Sequence, residues 1–231
     1  MESRVESLVR RWRVFWLWHA GHGFWGRIGS RLASFGAKRY RHRHALAQLT
    51  PCGYIEPSAE VIDNQPVLGA NVFVGERAVL ARWGGQGSIT LADKVTIHRD
   101  CSLELCPGGA ISIGEKTALE RGCILVSAVH PIRFGRNNVI AAYCAFYSYD
   151  HGITSGRGIA EQPLCSKGPI VLEDDVWLGV GVTVLSGVTI GSGAVIGAGS
   201  VVTRDIPSQS IAAGIPARPL KSRSQLNNHS V

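Results

Sequence analysis

The clearest candidate for chemistry in this chain is a histidine that interrupts an otherwise regular sequence. His151 stands in the segment Tyr149-Asp150-His151-Gly152. Because an imidazole titrates near neutral pH, it can take a proton from an attacking hydroxyl and later return it. Asp150 is a candidate to orient the ring, although adjacent side chains point in different directions in most backbones. This segment is therefore the predicted catalytic centre.

The sequence after this segment has an aliphatic residue at every sixth position: Leu172, Leu178, Val184, Ile190, Ile196 and Val202. A helix has a period of about 3.6 residues and a half-buried strand a period of 2, so the spacing indicates a hexapeptide β-helix. Small or β-branched residues occupy the second inward position: Val176, Val182, Val188, Ala194 and Ser200. Gly179, Gly191 and Gly197 directly follow an aliphatic, which predicts tight turns there.

The same register extends backward in blocks of three: Leu68, Val74, Leu80; Leu91, Ile97, Leu103; Ile113, Leu119, Leu125; and Phe134, Ile140, Phe146. With three sides per coil, the pattern predicts six coils in a prism roughly 30 Å tall. Residues 52–67 are expected to form an irregular first turn. Cys101, Cys123 and Cys144 fall on the inward small position, so we expect core thiols rather than a disulfide or a zinc site.

The register breaks once at length, with twenty extra residues between Phe146 and Leu172. Extra residues must leave a stacked coil as a loop, so segment 147–171 is the predicted active-site loop. The fold class is thus all-β, a parallel β-helix with an N-terminal helical arm and a short C-terminal tail. The predicted parts are the arm (1–50), the β-helix domain (51–206) and the tail (207–231).

The arm differs in composition from the rest of the chain. It holds ten Lys or Arg against two acids, and four of the six tryptophans. Leu8, Trp12, Phe15, Trp16 and His19 would share one helical face. One interpretation is a helix that packs on the prism or caps its first coil. Another is an interfacial helix through which residues 1–45 contact anionic lipid. A nucleic-acid partner is disfavoured, because the basic cluster at 38–44 has no recognition module beside it.

Two further features concern location. The sequence has no run of about 18 apolar residues that could span a bilayer. The apolar stretch from Val14 to Trp18 is short and lacks a cleavage site, so no secretory signal is expected. We therefore expect a cytoplasmic protein, with the arm directing it to the inner face of the membrane.

The C-terminal third closely resembles the hexapeptide-repeat sugar O-acetyltransferases, which include galactoside and maltose acetyltransferases and enzymes that acetylate surface polysaccharides. The resemblance rests on three segments: Gly168-Pro-Ile-Val-Leu-Glu-Asp-Asp-Val-Trp-Leu-Gly179, Gly197-Ala-Gly-Ser-Val-Val-Thr-Arg-Asp-Ile-Pro207 and Ala212-Ala-Gly-Ile-Pro-Ala-Arg218. It implies a left-handed coil, a homotrimer, and acetyl-CoA as co-substrate in a crevice between neighbouring prisms. No metal is required.

The resemblance also assigns roles to individual residues. His151 matches the catalytic histidine, which makes it the general base of a direct transfer, and the Val180 N–H would stabilise the oxyanion. Trp177 and Gly179 would line the acetyl and pantetheine channel. The other cofactor positions are Ala198 and Thr203, with Arg204, Arg218 and Lys221 near the CoA phosphates.

The predicted function is acetyl transfer from acetyl-CoA to a sugar hydroxyl, on a bacterial surface glycan such as lipopolysaccharide or on its lipid-linked precursor. The acceptor cannot be copied from the galactoside subgroup, because Glu120-Arg121-Gly122 occupies the region of its acceptor-pocket asparagine. Two alternatives stay open. One is a γ-carbonic-anhydrase-like zinc enzyme using His98, His130 and His151, whose spacings of 32 and 21 lack a close pair. The other is a non-catalytic β-helix scaffold.

Overall fold

A computed structural model describes residues 4–38, 41–62 and 65–225. The arm contains three helices: α1 (Arg4–Leu17), α2 (Phe24–Ala33) and α3 (Arg41–His44). Short 3-10 turns span Ala45–Gln48, Ile159–Glu161 and Arg223–Gln225. No helix within these described ranges is long and apolar enough to cross a bilayer.

The rest of the chain is built from short strands. The first twelve are β1 (Tyr54–Ile55), β2 (Glu60–Ile62), β3 (Val67–Leu68), β4 (Phe73–Val74), β5 (Val79–Arg82), β6 (Ile89–Leu91), β7 (Thr96–Ile97), β8 (Ser102–Leu105), β9 (Ile111–Ile113), β10 (Ala118–Leu119), β11 (Ile124–Ser127) and β12 (Ile132–Phe134). The others are β13 (Val139–Ile140), β14 (Ala145–Tyr147), β15 (Asp150–His151), β16 (Leu164–Cys165), β17 (Ile170–Leu172), β18 (Trp177–Leu178), β19 (Thr183–Val184), β20 (Thr189–Ile190), β21 (Val195–Ile196), β22 (Val201–Val202), β23 (Ser210–Gly214) and β24 (Ala217–Ser222).

Three long sheets form the sides of a prism. Sheet 1 runs β1-β4-β7-β10-β13-β18-β21-β23-β24, sheet 2 runs β2-β5-β8-β11-β14-β19-β22, and sheet 3 runs β3-β6-β9-β12-β17-β20. Each coil gives one strand to each sheet in turn, and all pairs are parallel except the terminal pair β23–β24. The predicted β-helix is confirmed. The segment predicted as an irregular first turn is a regular coil that pairs with the next one, Tyr54 with Phe73, so the seven strands of sheet 2 mark seven coils.

The repeated aliphatic residues form one continuous core inside the prism. Ile140, Leu178 and Ile196 stack in sheet 1 with almost no exposed surface. The predicted column of inward cysteines is also buried, and each thiol donates to a carbonyl of the next coil: Cys101 to Glu120, Cys123 to Ala141 and Cys144 to Gly179, at 3.1–3.2 Å. All six cysteines are free.

The glycines that follow the aliphatic positions serve a different purpose from the predicted turns. Gly179 is not among the positive-φ residues, whereas Gly181 (φ 69°) and Gly187 (φ 75°) are. A Cβ on Gly179 would lie 2.6 Å from the Ala198 backbone nitrogen. The small residue is therefore required because successive coils approach closely there, and the left-handed turns lie elsewhere in the repeat.

The helical arm packs on the outer face of sheet 1. Tyr54 and Phe73 point outward from the first two coils and join Leu17, Ala33 and Leu46 in a second, smaller hydrophobic cluster. Arg27 Nη2 also donates to the Ala59 carbonyl at 3.2 Å. The interpretation that the arm packs on the prism is confirmed.

A buried ion pair beneath the arm was not predicted from the sequence. Arg43 Nη1 lies 2.8 Å from both carboxylate oxygens of Glu56, which is almost fully buried. Burial raises the pKa of Glu56, and Arg43 opposes that rise. Burial also raises the pKa of the neighbouring Tyr54 to about 12. A buried pair of this kind fixes how the arm is seated more than it adds stability.

Candidate active site

The long excursion from the prism is a pinned two-stranded ribbon. It leaves sheet 2 after β14 and returns to sheet 3 at β17. Near its base, β15 and β16 pair antiparallel, with Asp150 opposite Cys165 and His151 opposite Leu164. The ribbon therefore presents His151 at the corner between sheets 2 and 3, on the fifth coil.

Hydrogen bonds fix the base of this ribbon to the coils on either side. The buried Ser148 hydroxyl contacts the carbonyls of Ala128 and His130 at 2.9 and 2.6 Å. Ser166 Oγ donates to the Ser148 carbonyl at 2.6 Å. Because these anchors are short and mostly shielded from water, the strand that carries His151 has a defined position on the prism.

The tip of the ribbon is held by one buried glutamine. Gln162 Oε1 accepts from the Thr154 N–H at 2.8 Å, and its Nε2 donates to the carbonyls of Thr154 and Arg157 at 3.1 and 3.3 Å. Sequence reasoning missed Ser148 and Gln162, since neither interrupts the repeat or belongs to a recognisable motif. Both order the loop rather than contact a reacting atom.

His151 itself is exposed, and its ring makes no hydrogen bond within the described residues. Its neighbour is the Tyr149 ring, edge-on with centroids 6.1 Å apart. Asp150 turns the other way, and its Oδ2 accepts a hydrogen bond from Ser186 Oγ at 2.7 Å. The expectation that Asp150 orients His151 is therefore not met within this chain, because successive strand residues point to opposite faces.

The residues expected to line the cofactor channel lie on a different side of the prism. Trp177 and Val180 are about half exposed on and just after β18 of sheet 1. The Val180 N–H donates to no acceptor among the described residues, and the same holds for Arg121 and Ala142 at equivalent corners of earlier coils. The free donor is thus a product of the repeat that any coil supplies, and what distinguishes Val180 is its surroundings.

The remaining cofactor positions divide between these two regions. Gly179 and Ala198 lie beside Val180, and Arg218 and Lys221 are exposed on β24, which extends the same sheet 1. Thr203 and Arg204 instead follow β22 of sheet 2, at the corner where His151 emerges two coils earlier. The predicted site residues therefore form two groups, one at the His151 corner and one along sheet 1.

One side of the prism separates the two groups. From Val180, the chain passes through β19 to Ser186, which contacts the His151 ribbon through Asp150. Six residues of extended chain span roughly 20 Å. Within one chain the base and the proposed oxyanion donor are therefore too far apart to act on one acetyl group.

The three histidines of the zinc alternative do not converge in one chain. His98 packs on the outside of sheet 1 against His44 and Phe73, whereas His130 and His151 belong to the other corner. Among the residues that the structure describes, no group of three or more His, Cys, Asp or Glu side chains could hold a metal ion.

Comparison with known proteins agrees with this architecture. Residues 169–204 match the family described as bacterial transferase hexapeptide (six repeats). A Mycobacterium tuberculosis protein named a probable acetyltransferase is 34% identical over 144 residues, which is 62% of this chain and 44% of the relative. A Staphylococcus aureus 2,3,4,5-tetrahydropyridine-2,6-dicarboxylate N-acetyltransferase is 39% identical over 71 residues, 31% of this chain and 29% of the relative. The chain spans less than half the length of the curated relatives it matches.

A solved structure shares the fold. The crystal structure of a polysialic-acid-specific acetyltransferase superposes with a TM-score of 0.54 at 24% identity, over 73% of this chain and 82% of that one. The matched repeat, the three-sheet prism and the acetyltransferases among its relatives together show that the chain belongs to the hexapeptide-repeat transferases.

Proposed function

We propose that the protein is an acetyl-CoA-dependent O-acetyltransferase that uses His151 as general base. The observation that carries the proposal is an exposed imidazole without a hydrogen-bond partner in the described chain, on a ribbon fixed at both ends of its base. A sugar hydroxyl is a weak nucleophile at neutral pH, so its attack on a thioester needs a positioned base. A free imidazole on a rigid support meets that need.

The transfer is direct. His151 takes the proton as the acceptor oxygen bonds to the carbonyl carbon of acetyl-CoA. The resulting oxyanion is stabilised by the Val180 N–H. The intermediate then collapses, the carbon–sulfur bond breaks, and the departing thiolate of CoA receives the proton from His151. No covalent enzyme intermediate forms.

Acetyl-CoA would lie along sheet 1, past Trp177, Gly179 and Ala198. The exposed cations Arg218 and Lys221 extend the same sheet and would meet the CoA phosphates. Related folds are crystallised with this cofactor, including a Bacillus cereus N-acyltransferase in complex with coenzyme A. Thr203 and Arg204, at the His151 corner, would contact the nucleotide end from the other wall.

A complete site needs a second subunit in this proposal. The His151 corner of one prism would face sheet 1 of its neighbour in a homotrimer, which brings the base and the oxyanion donor to one crevice. The separation of the two groups by a whole prism side supports this arrangement.

The proposed acceptor is a hydroxyl of a bacterial surface glycan or of its lipid-linked precursor, modified in the cytoplasm. The relative that acetylates a polysaccharide, polysialic acid, favours a glycan. The N-acetyltransferase among the relatives makes an amine acceptor the second candidate. Mass spectrometry of the product decides between them, because an O-acetyl ester is cleaved by mild base and an N-acetyl amide is not.

The test of the base is the variant His151→Asn. We expect its rate of acceptor-dependent CoA release to fall by roughly 10² or more, since general base catalysis contributes about that factor, while acetyl-CoA still binds. The matched control is His130→Asn, at the same prism corner one coil earlier, which should keep near-normal activity. Near-normal turnover by His151→Asn would refute the assignment. Equal loss in both variants, with stoichiometric bound metal, would favour the zinc alternative.

A further inference from the structure

The apolar stripe of α1 faces solvent. Val5, Leu8, Trp12 and Phe15 are three or four residues apart and share one face of the helix, and they are 69%, 65%, 48% and 56% exposed. Leu17 lies on the opposite side of the helix and is completely buried against the prism. The helix is therefore attached by its narrow side and presents its broad aromatic side outward.

The exposed aromatic character continues onto α2 and the segments beside it. Trp18, Phe24, Trp25 and Phe35 are all more than half exposed. Trp12 Nε1 donates to the Leu32 carbonyl at 3.0 Å, which holds α1 against α2. A monomeric surface does not usually collect so many large apolar side chains without a partner.

The same surface is strongly basic. Residues 1–50 hold ten Lys or Arg and two acids, and Arg10, Arg11, Arg31 and Lys38 are exposed among the aromatic side chains. Tryptophan and arginine together are typical of segments that lie in the interface of a bilayer, with rings at headgroup depth and guanidinium groups on lipid phosphates. A second copy of this arm fits poorly, because two such surfaces would bring like charges together.

We propose that this surface docks on an anionic lipid bilayer. We define the docking face as the exposed apolar side chains of the arm: Val5, Leu8, Trp12, Phe15, Trp18, Phe24, Trp25 and Phe35. These side chains enter the headgroup region, and the arginines and Lys38 bind lipid phosphate. The arm lies on the bilayer surface and does not cross it. Docking would bring the transfer site to lipid-linked acceptors, a consequence that rests on the proposed function, whereas lipid binding itself does not.

The test is flotation of the full-length protein with vesicles of phosphatidylcholine alone or mixed equally with phosphatidylglycerol. The docking-face variants are Leu8→Ser with Phe15→Ser, and separately Trp25→Ser. Their controls replace side chains of similar exposure on the prism, Val67→Ser and Trp83→Ser. The charge variant is Arg10→Glu with Arg11→Glu, and its control is the exposed Arg133→Glu on sheet 3. Circular dichroism and solution mass confirm that each variant folds and assembles.

We expect the unaltered protein to float with the anionic vesicles and to sediment with the neutral ones. Each docking-face variant should bind at least about tenfold more weakly, because each loses buried apolar area, and the controls should bind normally. The charge variant should bind weakly as well, and added salt should reduce binding through screening. Equal recovery with and without vesicles would overturn the proposal. So would a docking-face variant that lowers the oligomeric mass in the absence of lipid, since that outcome assigns the face to another copy of the chain.

Discussion

At the scale of single residues, the site depends on what Asp150 and His151 do separately. The two side chains leave opposite faces of a short strand, and Asp150 accepts a hydrogen bond from the almost fully buried Ser186. Asp150 is therefore a positioning residue that ties the ribbon to the sixth coil. His151 is left free to meet the substrate.

This division of roles predicts the effect of Ser186→Ala. Loss of one hydrogen bond to a carboxylate should loosen the ribbon and lower kcat by roughly three- to tenfold, with the KM for acetyl-CoA almost unchanged. The pH dependence of kcat should keep its shape, because the base itself is unaltered. The control is Ser192→Ala, which loses a similar bond to Glu173 away from the ribbon and should keep full activity. A shifted pH profile in Ser186→Ala would mean that Asp150 acts on the base directly.

At the scale of elements, the repeat predicted most of the fold. An aliphatic residue every sixth position leaves only one way to bury that face, so coils, loop positions and the inward cysteines followed from the sequence. Gly179 shows where the pattern was ambiguous. A small residue after the aliphatic is consistent with a turn or with close stacking of backbones, and only the packed coils distinguish the two.

The orientation of α1 could not be predicted for a related reason. The spacing of Leu8, Trp12 and Phe15 defines an apolar face but does not say whether the prism or the solvent lies against it. The arm is seated instead by Leu17 and Leu46 and by the ion pair of Arg43 with Glu56. Those contacts join segments distant in sequence, and no periodic pattern marks them.

The repeat also predicts which side of a strand carries stability. Leu178→Ala removes a fully buried side chain from sheet 1, so it should lower the free energy of unfolding by about 2–5 kcal/mol. Val139→Ala, on the neighbouring strand but half exposed, should cost less than about 1 kcal/mol. Urea unfolding followed by circular dichroism measures both. Equal costs would contradict the assignment of inward and outward positions.

At the scale of the whole molecule, the account depends on a site that one chain does not complete. His151 lies at the corner of sheets 2 and 3, and Val180, Ala198 and Lys221 lie along sheet 1. The sequence places these residues in one family pattern but carries no information on the distance between them. That distance is set by the prism side, and the proposed trimer closes it.

The most direct test mixes two inactive variants. His151→Ala removes the base, and Ala198→Trp places a large ring on the exposed wall proposed to hold pantetheine. Each variant alone should be inactive, and the two would be co-expressed with different tags so that mixed trimers can be isolated. If each site takes His151 from one subunit and the cofactor wall from the next, random mixing should restore about a quarter of the normal sites. Activity that stays at the level of the separate variants, in trimers shown to contain both chains, would contradict the account.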